Sequence, residues 1–144
     1  MKKNKVIPNG RRGFTLIELL VVIAIIGLLS TLAVVSLNNA RAKSRDAKRI
    51  ADVKQLQTAL ELCFNEGNAY PTAAAARLLV TTDTCGSLTM ANFINPVPAN
   101  PTPGGTAYSY TSAAGATYTL TFTLEGQTGT LATGLHTATE AGIN

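Results

Sequence analysis

The sequence predicts an α+β fold in which a long N-terminal, membrane-spanning helix packs on a small antiparallel β-sheet. Three observations carry that reading. Between Glu18 and Arg41 lie 22 residues without a formal charge, "LLVVIAIIGLLSTLAVVSLNNA", and a helix needs about 20 to cross a bilayer core. Next, Ala47, Ile50, Val53, Leu56, Leu60 and Phe64 recur at steps of three and four, the apolar stripe of a helix packed on one side. Finally, Tyr118, Leu120, Phe122 and Leu124 alternate with Thr117, Thr119, Thr121 and Thr123, the period of a half-buried strand.

Taken in order, residues 1–13 hold Lys2, Lys3, Lys5, Arg11 and Arg12 and no acid, so this head carries +5 against +4 for the whole chain. The pI near 9.3 would ordinarily point to nucleic acid, but most of the basicity sits in a short head, and nucleic acid is not an expected partner. A removable secretory signal has an apolar region of about 7–15 residues ending at a small-residue cleavage site. This run is longer and is followed only by "NNARA", so it reads as a retained membrane helix. Lys and Arg counts at the two ends of the span tie at five each. The Thr- and Gly-rich far part with two cysteines suits an oxidising exterior, which places that globular part outside the cytoplasm and the basic residues 1–13 inside it.

No Pro or Gly lies between Leu28 and Glu66. One continuous helix over residues 14–65 is therefore expected, on the order of 80 Å long, with 14–39 as its membrane part and 40–66 as an amphipathic continuation. Gly67 is the stop signal. Residues 67–105 carry Pro71, Pro96, Pro98, Pro101 and Pro103 and close on "PGG", which is loop chemistry; within them "AAAARLLV", Ala73 to Val80, is expected to add a short helix. Residues 106–144 form the sheet, read as three strands with turns near "AAGA" and "EGQTG". A sheet of that size needs a cover on its apolar face, and the amphipathic half of the helix supplies it.

Chemistry-bearing residues are few. Cys63 and Cys85 either form a disulfide that pins the loop to the helix or stay as two buried thiols; a bond would close 22 residues and contribute about 3 kcal/mol. Arg41, Lys43, Arg45, Lys48, Arg49 and Lys54, relieved by Asp46 and Asp52, read as a solvated or headgroup-facing surface with an i,i+3 pair such as Asp46 with Arg49. Aromatics that would stack bases are missing from that run. His136 is the sole histidine, in a strand-like setting where Glu140 does not converge on it. There is no P-loop, nucleophile elbow or paired-carboxylate cleft, so neither an enzyme, nor a metal site, nor a cofactor is expected. Glu18 stands apart. A charge near the bilayer centre costs about 2.5–3.5 kcal/mol on insertion scales, which marks an intramembrane acid as functional; the alternative is an acid in the headgroup layer, complementing the helix dipole.

"RRGFTLIELLVVIAIIGLL", Arg11 to Leu29, resembles the leader and mature start of the type IV pilin and type II secretion pseudopilin superfamily: a basic leader ending in Gly, an aromatic residue, then Glu in an apolar helix. "GNAYP", Gly67 to Pro71, is similar to the step after the helix in many members. The resemblance implies cleavage between Gly13 and Phe14 by a prepilin peptidase and N-methylation of Phe14. The new amine is then the only cation near the depth of Glu18, and it is more readily offered to a neighbouring copy's Glu18 than to its own. It implies a homopolymer, drawn from the cytoplasmic membrane into an extracellular or periplasmic filament by an assembly ATPase and a membrane platform protein. A structural subunit of a type IV pilus or pilus-like filament is the first reading. The major pseudopilin of a type II secretion system is the second, weakened because such proteins often hold calcium in a late Asp-rich loop whereas this chain has only Glu125 and Glu140 after Asp83. A monomeric single-span membrane protein with an extracytoplasmic binding domain is the third. Many pilins carry Pro where this chain has Val35, which removes one cause of helix melting.

Overall fold

A computed structural model describes residues 13–144; the rest of the basic leader, Arg11 and Arg12 included, lies outside the described residues. The chain forms two compact units that part at Asn38 and Asn39. One helix, α1 (Leu16–Gly67), contributes to both.

In the first unit every described residue is exposed, including Leu16, Ile17, Ile23, Leu28 and Val35. Two of its hydroxyls are turned back onto the helix, Ser30 donating to the Ile26 carbonyl (2.7 Å) and Thr31 to that of Leu28 (2.8 Å). Ser30 and Thr31 therefore present no unpaired donor to lipid, and the segment is long and apolar enough to cross a membrane.

In the second unit five strands form an antiparallel sheet, and a two-stranded hairpin lies beside it. The strands are β1 (Ala73–Arg77), β2 (Thr84–Cys85), β3 (Leu88–Thr89), β4 (Ser109–Ser112), β5 (Thr119–Leu124), β6 (Gly134–Thr139) and β7 (Gly142–Ile143). The large sheet runs β1-β4-β5-β6-β7, and β2 pairs with β3. The alternation read over residues 118–124 holds: Leu120, Phe122 and Leu124 are buried, while the intervening threonines of β5 are half-buried. β5 is the central strand, in register with Ser109–Thr111 on one side and Gly134–Ala138 on the other. Val53, Leu56, Ala59, Leu60 and Cys63 of α1 share one core with Tyr110, Tyr118, Leu120, Phe122 and Ala138. The sheet thus has more strands than expected, because β1 and β7 extend it at both edges.

Two local expectations are corrected. Residues 73–77 form a strand, not a short helix, despite four alanines. A helix this short gains too few hydrogen bonds to offset its nucleation, whereas pairing with β4 (Ala73 opposite Ser112, Arg77 opposite Tyr110) satisfies the backbone at once. At the helix end the left-handed residue is Asn68, with φ of 57°, whose N–H donates to the Phe64 carbonyl at 2.7 Å. Gly67 is needed for a different reason, since a Cβ there would collide with the Cys85 backbone.

That contact is held by a Cys63–Cys85 disulfide, with both residues fully buried and their Cα atoms 5.7 Å apart. It ties the last turns of α1 to β2 across a sequence separation of 22. Replacing both cysteines by Ala is expected to cost about 3 kcal/mol in chemical denaturation of the full chain in detergent. A loss below about 1 kcal/mol would mean that the hairpin contacts alone already close the loop.

Candidate functional site

The N-terminal site is built on the first turn of α1. Thr15 is the N-cap and Glu18 occupies the third helical position. Glu18 Oε2 accepts from the Thr15 N–H (2.8 Å) and from the Thr15 hydroxyl (2.7 Å). In return Thr15 Oγ1 accepts from the Glu18 N–H at 3.3 Å. This is a reciprocal capping box, and it satisfies two of the donors that a helix start leaves without partners. Glu18 is therefore not alone, as a count of cations alone suggests: its own chain supplies a local partner. The "TLIE" spelling, Thr15 to Glu18, is the signature that finds it. The second carboxylate oxygen, Oε1, has no hydrogen bond among the described residues.

Phe14 lies just before the cap and is 86% exposed. A Cβ built on Gly13 would meet nothing within 4 Å among the described residues. Packing among the described residues thus gives no reason for glycine at 13. Phe14 and Glu18 share a shallow apolar depression with Ile17, Val21 and Val22, and Gly13 is not among the residues that line it.

The basic run behaves differently from a solvated surface. Arg49 is fully buried, and every edge of its guanidinium is used. Nε donates to Asn100 Oδ1 (2.7 Å), Nη1 to Asp46 (2.7 Å) and Glu125 (2.6 Å), and Nη2 to the carbonyls of Pro101 (2.9 Å) and Gly104 (2.6 Å). Arg45 forks onto Glu125 from the next turn, and Asp46 accepts from the backbone N–H groups of Glu125 and Gly126 (3.0 and 2.8 Å). The expected Asp46–Arg49 pair exists, but it is the buried centre of an anchor that fastens the proline-rich loop and the β5–β6 connection to α1. Gly105, at φ 70°, lets the loop close over the guanidinium, where a Cβ would come within 3.0 Å of it. Asp52, also expected on the solvated surface, is buried and accepts from the Tyr108 hydroxyl at 2.9 Å.

Hydrogen bonds from Arg45, opposed by burial and reinforced by Arg49, pull the Glu125 carboxyl down to about 2 from its ordinary 4.5. A carboxyl depressed by folding stabilises the fold above its unfolded value and ceases to do so as pH falls through the folded one. The thermal midpoint of the full chain is therefore expected to be level from neutral pH to about 5 and to fall between about 4.5 and 2. Glu125→Gln should flatten that part of the curve.

The remaining sequence candidates stay apart from both sites. His136 lies on β6 with its ring nitrogens near the carbonyls of Ala132 (2.7 Å) and Asn144 (3.1 Å). No cluster of three or more His, Cys, Asp or Glu side chains that could hold a metal occurs among the described residues. In the "GNAYP" step, Tyr70 stacks on Phe64 (centroids 4.6 Å apart) and donates to Glu61 at 2.9 Å. The Pro71 carbonyl accepts from Tyr110 at 2.7 Å, so that step is a corner packed into the core.

Comparison with known proteins bears on the N-terminal part. Residues 8–34 match the family described as "Prokaryotic N-terminal methylation motif". The chain is 39% identical over 75 residues to type II secretion system core protein G of Pectobacterium carotovorum, covering 51% of this chain and 48% of that one. It is 40% identical over 57 residues to the type IV major fimbrial protein FimA of Dichelobacter nodosus (40% and 36% of the two chains). A fimbrial protein of Pseudomonas aeruginosa is 34% identical over 69 residues (48% and 45%). The alignments thus span less than half the length of these curated relatives, and no solved structure matches the chain. Over its methylation motif and the apolar helix that carries it, the chain is thus similar to type II secretion core protein G and to type IV fimbrial proteins.

Proposed function

We propose that this protein is a structural subunit of a type IV pilus or pilus-like filament, cut between Gly13 and Phe14, N-methylated at Phe14, and polymerised through the apolar part of α1. The observation that carries the proposal is that the apolar first part of α1, exposed throughout, lies largely within the matched methylation motif. A surface of that size needs lipid before assembly and other copies afterwards. The freedom around Gly13 supports a constraint imposed from outside the chain, as a close-fitting peptidase pocket would impose. The free Oε1 of Glu18 supports its role in assembly: the capping box holds the carboxylate in place while one oxygen stays open to the methylated amine of a neighbour's Phe14. A prepilin peptidase, an assembly ATPase and a membrane platform protein complete the machinery on this reading. The subunit is anchored in the cytoplasmic membrane by a single span, leader inside and head outside, before it enters the filament.

Pseudopilin of a type II secretion system is the second reading, favoured by the longer alignment with core protein G than with FimA. Intact-mass analysis of the protein from its native membrane is expected to give a chain beginning at N-methylated Phe14. A chain retaining Met1, or one cut after residue 40, would dismiss both readings. Whether the filaments project from the cell or stay in the periplasm separates the two.

A further inference from the structure

Lys and Arg are as many just beyond the apolar run as before it, so charge-directed orientation gives no account of Arg41, Lys43, Arg45, Lys48 and Arg49. The structure divides them. Arg45 and Arg49 are taken up inside the second unit by Glu125 and Asp46. Arg41, Lys43 and Lys48 are exposed and make no ion pair among the described residues, and the same holds for Lys54. The acids of this stretch are withdrawn from the surface: Asp46 is fully buried against Arg49, and buried Asp52 accepts from Tyr108. Over residues 39–60 the surface of α1 therefore offers four unpaired cations and no exposed acid.

Height along the helix selects among the four. At 1.5 Å per residue, Arg41 and Lys43 stand about 6 and 9 Å beyond Leu37, the last large apolar residue of the charge-free run, while Lys48 stands about 16 Å and Lys54 about 25 Å beyond it. The headgroup layer adds about 5–7 Å on each side of the hydrocarbon core, and long basic side chains reach back along a helix to it. Arg41 and Lys43 thus serve that layer directly. Lys48 lies about one Debye length, roughly 8 Å, above it, and Lys54 lies beyond. Direction around the helix names the partner: two residues turn by about 200°, so Arg41 and Lys43 point to opposite sides of α1. A rigid polyanion laid against the helix meets one side, whereas the headgroups around an emerging helix meet both. We propose that Arg41 and Lys43, assisted by Lys48, bind the phosphates of anionic phospholipids in the leaflet that faces residues 39–144. The inference rests on the reading of the first part of α1 as a membrane span, and it adds a lipid class as partner of the unassembled subunit.

Lys43 and Lys54 make a matched test. Both are exposed lysines, and 11 residues, about three turns, set them on the same side of α1 at different heights. The full chain is transferred from its native membrane into nanodiscs of phosphatidylcholine and phosphatidylglycerol, and native mass spectrometry reads the ratio of the two lipids that it retains. Wild type should hold phosphatidylglycerol in excess of its share of the disc. Arg41→Gln and Lys43→Gln should each lower the ratio about fivefold, the equivalent of about 1 kcal/mol per cation at an anionic surface. Lys54→Gln should lower it by less than about 1.5-fold, because salt screens a charge so far from the layer. Any contribution of residues 1–13 is common to all variants. Thermal midpoints should match wild type, since these side chains make no ion pair among the described residues. A ratio unmoved by Lys43→Gln, or lowered equally by Lys43→Gln and Lys54→Gln, would overturn the proposal. Displacement of the retained phosphatidylglycerol by inorganic phosphate would overturn it too, by assigning the cations to a free anion. Those outcomes leave the filament reading in place. Release of the wild-type chain from native membranes by alkaline carbonate would remove the span and this inference together.

Discussion

Glu18→Ala is expected to leave the protein in the membrane at wild-type amounts and to lower filament yield at least tenfold, the loss that follows when a buried charge is left without its partner. The first half follows from transfer energetics. Removing a carboxylate from an apolar span relieves a cost of up to about 3 kcal/mol, so insertion can only become easier. The second half follows from the capping geometry. Thr15 and the Thr15 N–H occupy Glu18 Oε2 alone, which leaves Oε1 for an amine from another copy. The Ala variant removes both the cap and the ion pair, and therefore cannot tell them apart. Glu18→Gln can, because its amide oxygen still accepts from Thr15 while the negative charge is gone. If charge pairing with a neighbour's Phe14 amine drives assembly, the Gln variant fails as the Ala variant does. Filaments from the Gln variant at wild-type yield, counted in sheared fractions and by electron microscopy, would reduce Glu18 to a helix cap.

The parts of the fold that local periodicity controls were legible before any coordinates. Alternation over Tyr118–Leu124 fixes which side of β5 is buried, because side chains on a strand can face only two ways. The charge-free run after Glu18 likewise picks out the exposed apolar part of α1, long enough to cross a membrane. What was not legible depends on partners far away in sequence. Apart from the i,i+3 pair with Asp46, nothing near Arg49 distinguishes it from Lys48, yet one is fully buried and the other exposed. The difference is made by Asn100, Pro101, Gly104 and Glu125, some 51–76 residues later. Ala73–Arg77 misleads for a related reason, since alanine propensity favours a helix and only the open edge of β4 makes a strand. Thr15 is another case: its signal stands three residues before Glu18, but it is a hydroxyl that caps the helix and not the counter-ion that a lone acid calls for.

Arg49→Ala should be the most destabilising single change in the second unit, by about 3–5 kcal/mol, the usual cost of breaking a buried ion pair from one side. Burial opposes the charge on this guanidinium, and the hydrogen bonds of Glu125 and Asp46 outweigh it, so the group stays cationic and its pKa is raised. Once it is gone, Asp46 remains fully buried with only backbone donors, and Glu125 keeps Arg45 alone. The carbonyls of Pro101 and Gly104 lose the donor recorded on each from α1, which frees the proline-rich loop. Arg49→Lys preserves the charge but offers three donors from a single point where five N–H groups in a planar fork are used; it should recover part of the loss and not all of it. Arg45→Ala is the internal comparison. It also contacts Glu125, but its side chain is 20% exposed, and water can replace it, so the cost should stay near 1 kcal/mol. Denaturant midpoints of the full chain in detergent, read by near-ultraviolet dichroism of the core tyrosines, rank the three variants. An Arg49→Ala loss no greater than that of Arg45→Ala would mean that the guanidinium is solvated and that the loop is held to α1 by its other contacts.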